Sequence, residues 1–266
     1  MDKRRIFQIG LAIAANSHII GFFTGRIYRG KLKMVCTPGL NCYSCPGALG
    51  ACPIGSLQSG LSSLGKRIPI YILGFLALFG ILFGRMICSY ACPFGLIQEL
   101  LHKIPSVKLK KSRVTRRLSL LKYIVLAVFV VAIPIGTGLL YGMSIPGFCK
   151  YICPAGTLEA GLPLTIMNAE LRESLGFLFN WKLAILLLTL IGCVFVFRPF
   201  CRFICPLGAI YSFFNKYAIF GIKVNENCVN CKVCTTNCQM DTNFVNDREC
   251  IRCGTCRKHC KFGALD

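Results

Sequence analysis

Acidic side chains are scarce: ten Asp and Glu stand against 31 Lys and Arg. Charged residues of both signs make up only 15% of the chain, beside 55% hydrophobic residues, and that balance excludes an ordinary soluble surface. Phosphate loops, dinucleotide fingerprints and hydrolytic triads are absent, which removes the commonest nucleotide-dependent and hydrolytic chemistries. A cleavable secretory signal is lacking too. MDKRR is followed by an apolar stretch with no small-residue cleavage site before the next basic run, so this stretch reads as a retained helix.

The formal charge of +21 would suggest nucleic acid or anionic lipid in a soluble protein. That sum omits ionised thiolates and any anionic cofactor they hold. A four-thiolate 4Fe-4S site carries about two net negative charges, so several would cancel much of the excess, and no nucleic-acid partner is expected.

Four apolar runs approach membrane-crossing length: 6–25, 68–87, 120–141 and 181–197. The second and fourth leave roughly 17 and 15 residues between flanking charges, against the ~20 of a usual span. With the N-terminus inside, the cytoplasmic segments carry 22 Lys and Arg and the outer segments nine, which favours both termini in the cytoplasm. Arg26, Arg29, Lys31 and Lys33, just past the first run, oppose that bias.

Cysteine is abundant, with 19 residues. The long apolar runs argue against a secreted disulfide scaffold, and metal clusters explain the count better. A CPxG motif occurs four times, at Cys52, Cys92, Cys153 and Cys205. RMICSYACPFG (85–95) matches RPFCRFICPLG (198–208), and GSLQSGL (55–61) matches GTLEAGL (156–162). The chain thus reads as two parallel repeats, about 34–105 and 142–220, each with an outer motif, a helix and an inner motif. Proline favours the first helical position, which predicts each CPxG cysteine at a helix cap. Backbone N–H groups and the positive dipole end would then face an anionic group.

From 225 the composition turns polar. CVNCKVCTTNC (228–238) and CIRCGTCRKHC (250–260) are two runs of CxxCxxCxxxC. In the bacterial ferredoxin pattern three close cysteines hold one cluster and the fourth reaches the other. One cluster would use Cys228, Cys231, Cys234 and Cys260, the other Cys250, Cys253, Cys256 and Cys238. Gln239 and Lys261 stand where a proline usually follows. Four-cysteine zinc sites also use CxxC and are the alternative.

At the inner face Cys88, Cys92, Cys201 and Cys205 form a four-thiolate set across the two repeats, where a cytoplasmic location disfavours disulfides. The outer face is less regular, because Ala48 stands where the first cysteine of the repeat-one motif should be. The reading adopted there is Cys45, Cys52, Cys149 and Cys153, with Cys42 as alternative to Cys45; disulfides, including Cys36 to Cys42, are the competing reading. Cys193 reads as a buried hydrophobe. His18 reads as a packing histidine, with a haem or quinone contact as the alternative.

These inner motifs on membrane helices, followed by tandem ferredoxin runs, resemble the NapH/MauN-type membrane polyferredoxins over about residues 68–266. The resemblance implies movement of electrons between cytoplasmic or quinone pools and extracytoplasmic acceptors, flavin proteins among them. CTPGLNCYSCPGALGACPIG and CKYICPAG go beyond the minimal pattern and point to an electron exit on the outer face. The expected architecture is an all-α membrane domain (1–224) of about four transmembrane helices, followed by a small α+β ferredoxin-like domain (225–266). The expected cofactors are 4Fe-4S clusters, two in the tail, one at the inner face and one at the outer.

The expected function is electron transfer across a prokaryotic cell membrane, from a cytoplasmic low-potential donor to an extracytoplasmic acceptor. An inner-side quinol dehydrogenase subunit and a redox sensor or maturation factor are the alternatives, so enzymatic turnover is left open. A helix of 17 residues rises about 25 Å, long for one tunnelling step. The conduit therefore requires clusters sunk toward the midplane or bridged by a further group.

Overall fold

The computed structural model describes residues 3–61, 69–173 and 175–265. Among these the regular elements are helical, with no strand and two isolated bridges, Cys36 to Ala51 and Val224 to Leu265.

Two helices are long and apolar enough to cross a membrane, Arg113–Tyr141 and Phe177–Phe195. The first contains a π-helical stretch, Leu126–Ala132, just before Pro134. Proline lacks an N–H and crowds the carbonyl four residues back, which loosens the preceding turns into the wider helix. Ile70–Phe83, a further apolar helix, has 14 residues; the expected start of that span at 68 and its flanking Arg67 lie outside the described residues. These helices present Leu73, Leu78, Ile124, Val128, Leu187 and Leu188 outward, an apolar surface that water does not favour.

The first apolar run is not one helix. Lys3–Ala15 and Ile20–Thr24 are separated by a four-residue break, and the cysteine-rich loop bonds the backbone there. His18 N–H donates to the Gly47 carbonyl (3.1 Å) and Leu49 N–H to the Ala15 carbonyl (3.0 Å). Polar Asn16 and Ser17 thus open the helix where a second segment can satisfy its orphaned groups. Contact is close enough that a Cβ on Gly21 would fall 2.2 Å from the Pro46 oxygen.

Helices recur in matching order along the two halves. Pro53–Leu61, Ile70–Phe83, Met86–Tyr90 and Pro93–Leu101 correspond to 154–167, Phe177–Phe195, Pro199–Phe203 and Pro206–Phe214. Gly147–Tyr151, which carries Cys149, has no helical counterpart: loop 35–52 stands in its place.

Where an α+β tail was expected, the described residues hold a short helix, Val233–Thr236, a 3-10 turn, Thr255–His259, and the Val224–Leu265 bridge. Left-handed residues fall at the same two places in each cysteine run. Asn230 and Lys232 flank Cys231, and Arg252 and Gly254 flank Cys253. Such φ values turn the chain tightly enough to wrap it around a central group, at the expense of ladder pairing.

Buried ion pairs hold the tail on the helical domain. Glu249 accepts from Arg85 (2.6 Å) and Lys122 (2.5 Å), and Asp241 from Arg202 (2.6 Å). Asn215 donates to the Asp247 (2.6 Å) and Cys250 (2.9 Å) carbonyls, and Arg252 donates to those of Asn215 and Phe220.

Candidate metal centres

At the three motifs where the cap is resolved as such, the cysteine caps a helix that opens with proline, and its sulfur accepts the N–H of the motif's glycine. The pairs are Cys92 with Gly95 (3.4 Å), Cys153 with Gly156 (3.3 Å) and Cys205 with Gly208 (3.4 Å). Cys52 likewise stands directly before a helix that opens with proline, Pro53–Leu61. At the three capped motifs one backbone donor therefore faces the sulfur at a positive helix end.

On the side toward the tail, Cys88, Cys92, Cys201 and Cys205 are all buried and interact with one another electrostatically. Two arginines, each three residues before the first cysteine of its motif, cross between the halves. Arg85 donates to the Cys201 carbonyl (3.2 Å) and Arg198 to the Cys88 carbonyl (2.6 Å). Arg198 also pairs with Glu99 (2.8 Å), which Arg4 reaches at 2.7 Å. Burial alone would raise Glu99, but the two arginines prevail and hold its carboxyl below the usual range. Gln8 donates to the Cys92 carbonyl (3.0 Å), closing the site from the N-terminal helix.

On the far side, Cys42, Cys52, Cys149 and Cys153 line one cavity of about 1010 Å³. Cys153 interacts with the other three, and the Cys42 sulfur shares the space over Gly156 with the Cys153 sulfur. The Cys45 thiol instead points to the Asn16 carboxamide (3.7 Å). The structure therefore sets Cys42 at the cavity, where the spacing had favoured Cys45. Glu159 explains the difference: its carboxylate accepts the Cys42 N–H at 2.7 Å and anchors that turn beside Cys153. Loss of water pushes Glu159 up to about 8, against the pull of that N–H. Lys33 lies behind the loop, donating to the Ala48 carbonyl (2.7 Å) over the Tyr43 ring.

The tail-side quartet, Cys52 and Cys153 belong to one buried core, and Cys149 packs against it; Cys42 is half-buried at its edge. The loop passes over the tail-side quartet at Gly39, where a Cβ would lie 2.9 Å from the Cys92 Cα, and Cys42 follows three residues later, so no more than about 11 Å of chain separates the two sites there. Gly39 makes the passage possible, since a Cβ would lie 2.7 Å from the Ala91 oxygen. The Phe148 and Phe200 rings, each preceding a cysteine of a different site, are 6.4 Å apart.

In the tail, Cys256 interacts with Cys250, Cys253 and Cys238, and more weakly with Cys234 of the other set. Cys238 and Cys253 pack against the core that holds the tail-side quartet. Of the other tail set, Cys228 and Cys231 are exposed, and Cys234 and Cys260 half-buried. His18 Nδ1 donates to the Pro46 carbonyl (3.0 Å) and acts as a packing residue of the loop. Cys36 is buried against Ser56 (3.7 Å), and Cys193 is buried in mid-helix.

The residues fit polynuclear clusters. Among the described residues, no three His, Cys, Asp or Glu converge tightly enough to hold a single metal ion. The far-side thiols surround a void instead. Burial pushes Cys42 and Cys52 up to about 12, so their thiolate forms need compensating positive charge among them. Asn41, between the two sites and 1% exposed, leaves both carboxamide atoms without a partner in the protein.

A family model described as "4Fe-4S binding domain" matches residues 50–71, 68–112, 123–162 and 180–225, one match over each CPxG motif. The chain is 34% identical to Uncharacterized protein MJ0750 of Methanocaldococcus jannaschii, over 76% of this chain and 79% of that one. It is 30% identical to Regulatory protein NosR of Stutzerimonas stutzeri over 66% of this chain and 24% of that one. Identity is 24% to Methylamine utilization ferredoxin-type protein MauN of Paracoccus denitrificans, over 58% and 48% of the two chains. No solved structure matches.

Proposed function

Because the chain belongs to the 4Fe-4S binding domain family, we propose that it is a membrane conduit carrying electrons from a cytoplasmic low-potential donor to an extracytoplasmic acceptor. The membrane domain would cross about four times in two parallel repeats, with both termini in the cytoplasm of a prokaryotic cell. Cys228, Cys231, Cys234 and Cys260 would hold one tail cluster, and Cys238, Cys250, Cys253 and Cys256 the other. Cys88, Cys92, Cys201 and Cys205 would hold the inner cluster, and Cys42, Cys52, Cys149 and Cys153 the outer. When bound, 4Fe-4S clusters supply one-electron carriers over a wide potential range.

The observation that carries this reading is the shared core. The Gly39–Cys42 segment, which passes against Cys92, and the Phe148–Phe200 ring pair link the two quartets, which supports a step shorter than helix length alone implied. The chain's residues bury the inner site, offer an N–H to the capping sulfurs of Cys92, Cys153 and Cys205, and set Arg85, Arg198 and Lys33 around the sites as counter-charge. The tail set with exposed Cys228 and Cys231 is placed for a donor, and the set holding Cys238 and Cys253 for transfer inward. The far-side cavity, with Tyr43, Ser144 and Lys182 on its wall, offers the acceptor an approach to the outer set; a flavin protein would suit it.

A second reading has one point in its favour. The name Regulatory protein NosR suits a sensor whose clusters report rather than conduct. Iron and acid-labile sulfide per chain on anaerobically purified protein test the proposal. About 16 of each supports four clusters and a route across the membrane; about 12 leaves the outer site empty and overturns it in favour of chemistry confined to the inner side.

A further inference from the structure

Each CPxG cysteine is followed, six residues on, by a side chain that reaches out of its own motif. These residues are Gln58, Gln98, Glu159 and Tyr211, and each lies two turns into the helix its cysteine caps, on the face that looks across to the opposite repeat.

In the first repeat the position is glutamine twice, with matching geometry. Gln58 Nε2 donates to the Ile54 carbonyl (3.3 Å) and to the Cys149 sulfur (3.2 Å). Gln98 Nε2 donates to the Phe94 carbonyl (3.4 Å) and to the Cys201 sulfur (3.1 Å). Both are 0% exposed. In each case the recipient is the first cysteine of the opposite repeat's motif at the same level. Unlike the second cysteines, Cys149 and Cys201 cap no helix and have no motif glycine beneath them, so the amide supplies the donor the backbone does not. The Phe148 N–H donates to Gln58 Oε1 at 3.0 Å, which fixes that amide with its nitrogen toward sulfur.

In the second repeat the same position serves the loop that replaces the missing helix. Glu159 accepts the Cys42 N–H (2.7 Å), and the Tyr211 O–H donates to the Pro38 carbonyl (2.9 Å). Tyr211 is fully buried among Cys88 and Cys92 of one site and Cys52 of the other. Two first-repeat residues thus bond cysteine sulfurs, and two second-repeat residues fasten the Pro38–Cys42 segment that brings the fourth far-side thiol.

We propose that this sixth position completes both metal centres: Gln58 and Gln98 are matched positioning residues that set the potentials of the outer and inner clusters, and Glu159 and Tyr211 hold Cys42 in the outer one. The inference rests on the cluster assignment above. A hydrogen bond to a ligating sulfur stabilises the more negative, reduced state, so its removal lowers the midpoint potential.

The test is an anaerobic reductive titration followed by electron paramagnetic resonance, with iron per chain measured on each sample. Gln58→Met and Gln98→Met keep side-chain volume and remove the donor. Gln58→Met is expected to shift the outer signal to lower potential, changing its reduced-to-oxidised ratio at least tenfold at fixed potential, and to leave the inner signal in place. Gln98→Met is expected to do the reverse. Glu159→Gln keeps an acceptor for the Cys42 N–H and is expected to be silent, whereas Glu159→Leu and Tyr211→Phe lower outer-cluster occupancy without touching the inner one. Full iron with unmoved potentials in both methionine variants, or a shift in the wrong cluster, would overturn the proposal while sparing the conduit. Absence of the outer signal from the wild-type protein would overturn the conduit itself. Should a methionine variant lose iron, Gln58→Asn and Gln98→Asn retain the amide, and failure of these to restore occupancy would also contradict the proposal.

Discussion

The two quartets in the membrane domain use the same motif and differ in one part. Toward the tail both halves contribute a five-residue helix with one cysteine and a capped helix with the next, and arginines cross symmetrically between them. On the far side only the second half keeps this form. The first half substitutes loop 35–52, and its thiol is fastened by Glu159 rather than by a helix. A site built from two equal halves is rigid through its secondary structure. The site with a substituted part depends on individual side chains, and it lines a cavity.

The comparison breaks most visibly at the borrowed thiol. Cys42→Ser is expected to reduce iron from about 16 to about 12 per chain, and Cys45→Ser to leave it unchanged; the reverse result would return the ligand role to Cys45. Next in size is the tail-side charge frame. Glu249→Leu strands Arg85 and Lys122 in a buried setting, at a cost of about 3–5 kcal/mol, and hydrogen exchange should report a tail that opens on the membrane domain. No comparable loss is expected from Lys182→Met at the rim of the far-side cavity.

Gly39→Ala acts between the two sites. Its Cβ would meet the Ala91 backbone, so the loop must shift; a cost of about 1–3 kcal/mol is expected, together with weaker magnetic interaction between the inner and outer clusters. The smallest effect concerns pH. Arg198 and Arg4 hold Glu99 below its ordinary value despite burial, so its contribution is complete above the unfolded pKa of about 4.3 and is lost as pH falls through the lower folded value. The stability gap between wild type and Glu99→Gln should be constant from about pH 8 to about 5 and close below about 4. A gap that closed near neutrality would contradict the pairing.

What the sequence makes legible follows the same division. The capped cysteines and the helical character are readable because motif, spacing and local structure agree. The place of Cys42 at the far-side cavity is not, because spacing favours the nearer Cys45 and the bond from the Cys42 N–H to Glu159 forms only in the tertiary structure. The match of GSLQSGL to GTLEAGL carried a signal, pairing Gln58 with Glu159, but a polar residue in an apolar helix does not announce its partner. The break after Ala15 was hidden for a similar reason: Asn16 and His18 open the helix only because residues 45–49 are there to bond it. The tail's few ladder bonds reflect left-handed residues at Asn230, Lys232 and Arg252; asparagine favours that region, but lysine and arginine do not.

The central claim is passage of electrons between the two faces through one core. The direct measurement uses protein reconstituted in sealed vesicles, with a membrane-impermeant reductant outside and a trapped, impermeant acceptor dye inside, comparing wild type with Cys42→Ser. The account predicts dye reduction at a steady rate by wild type and at least a tenfold loss in the variant, with the tail and inner clusters still reduced in both. Reduction of every cluster in wild-type protein without reduction of the trapped dye would contradict it.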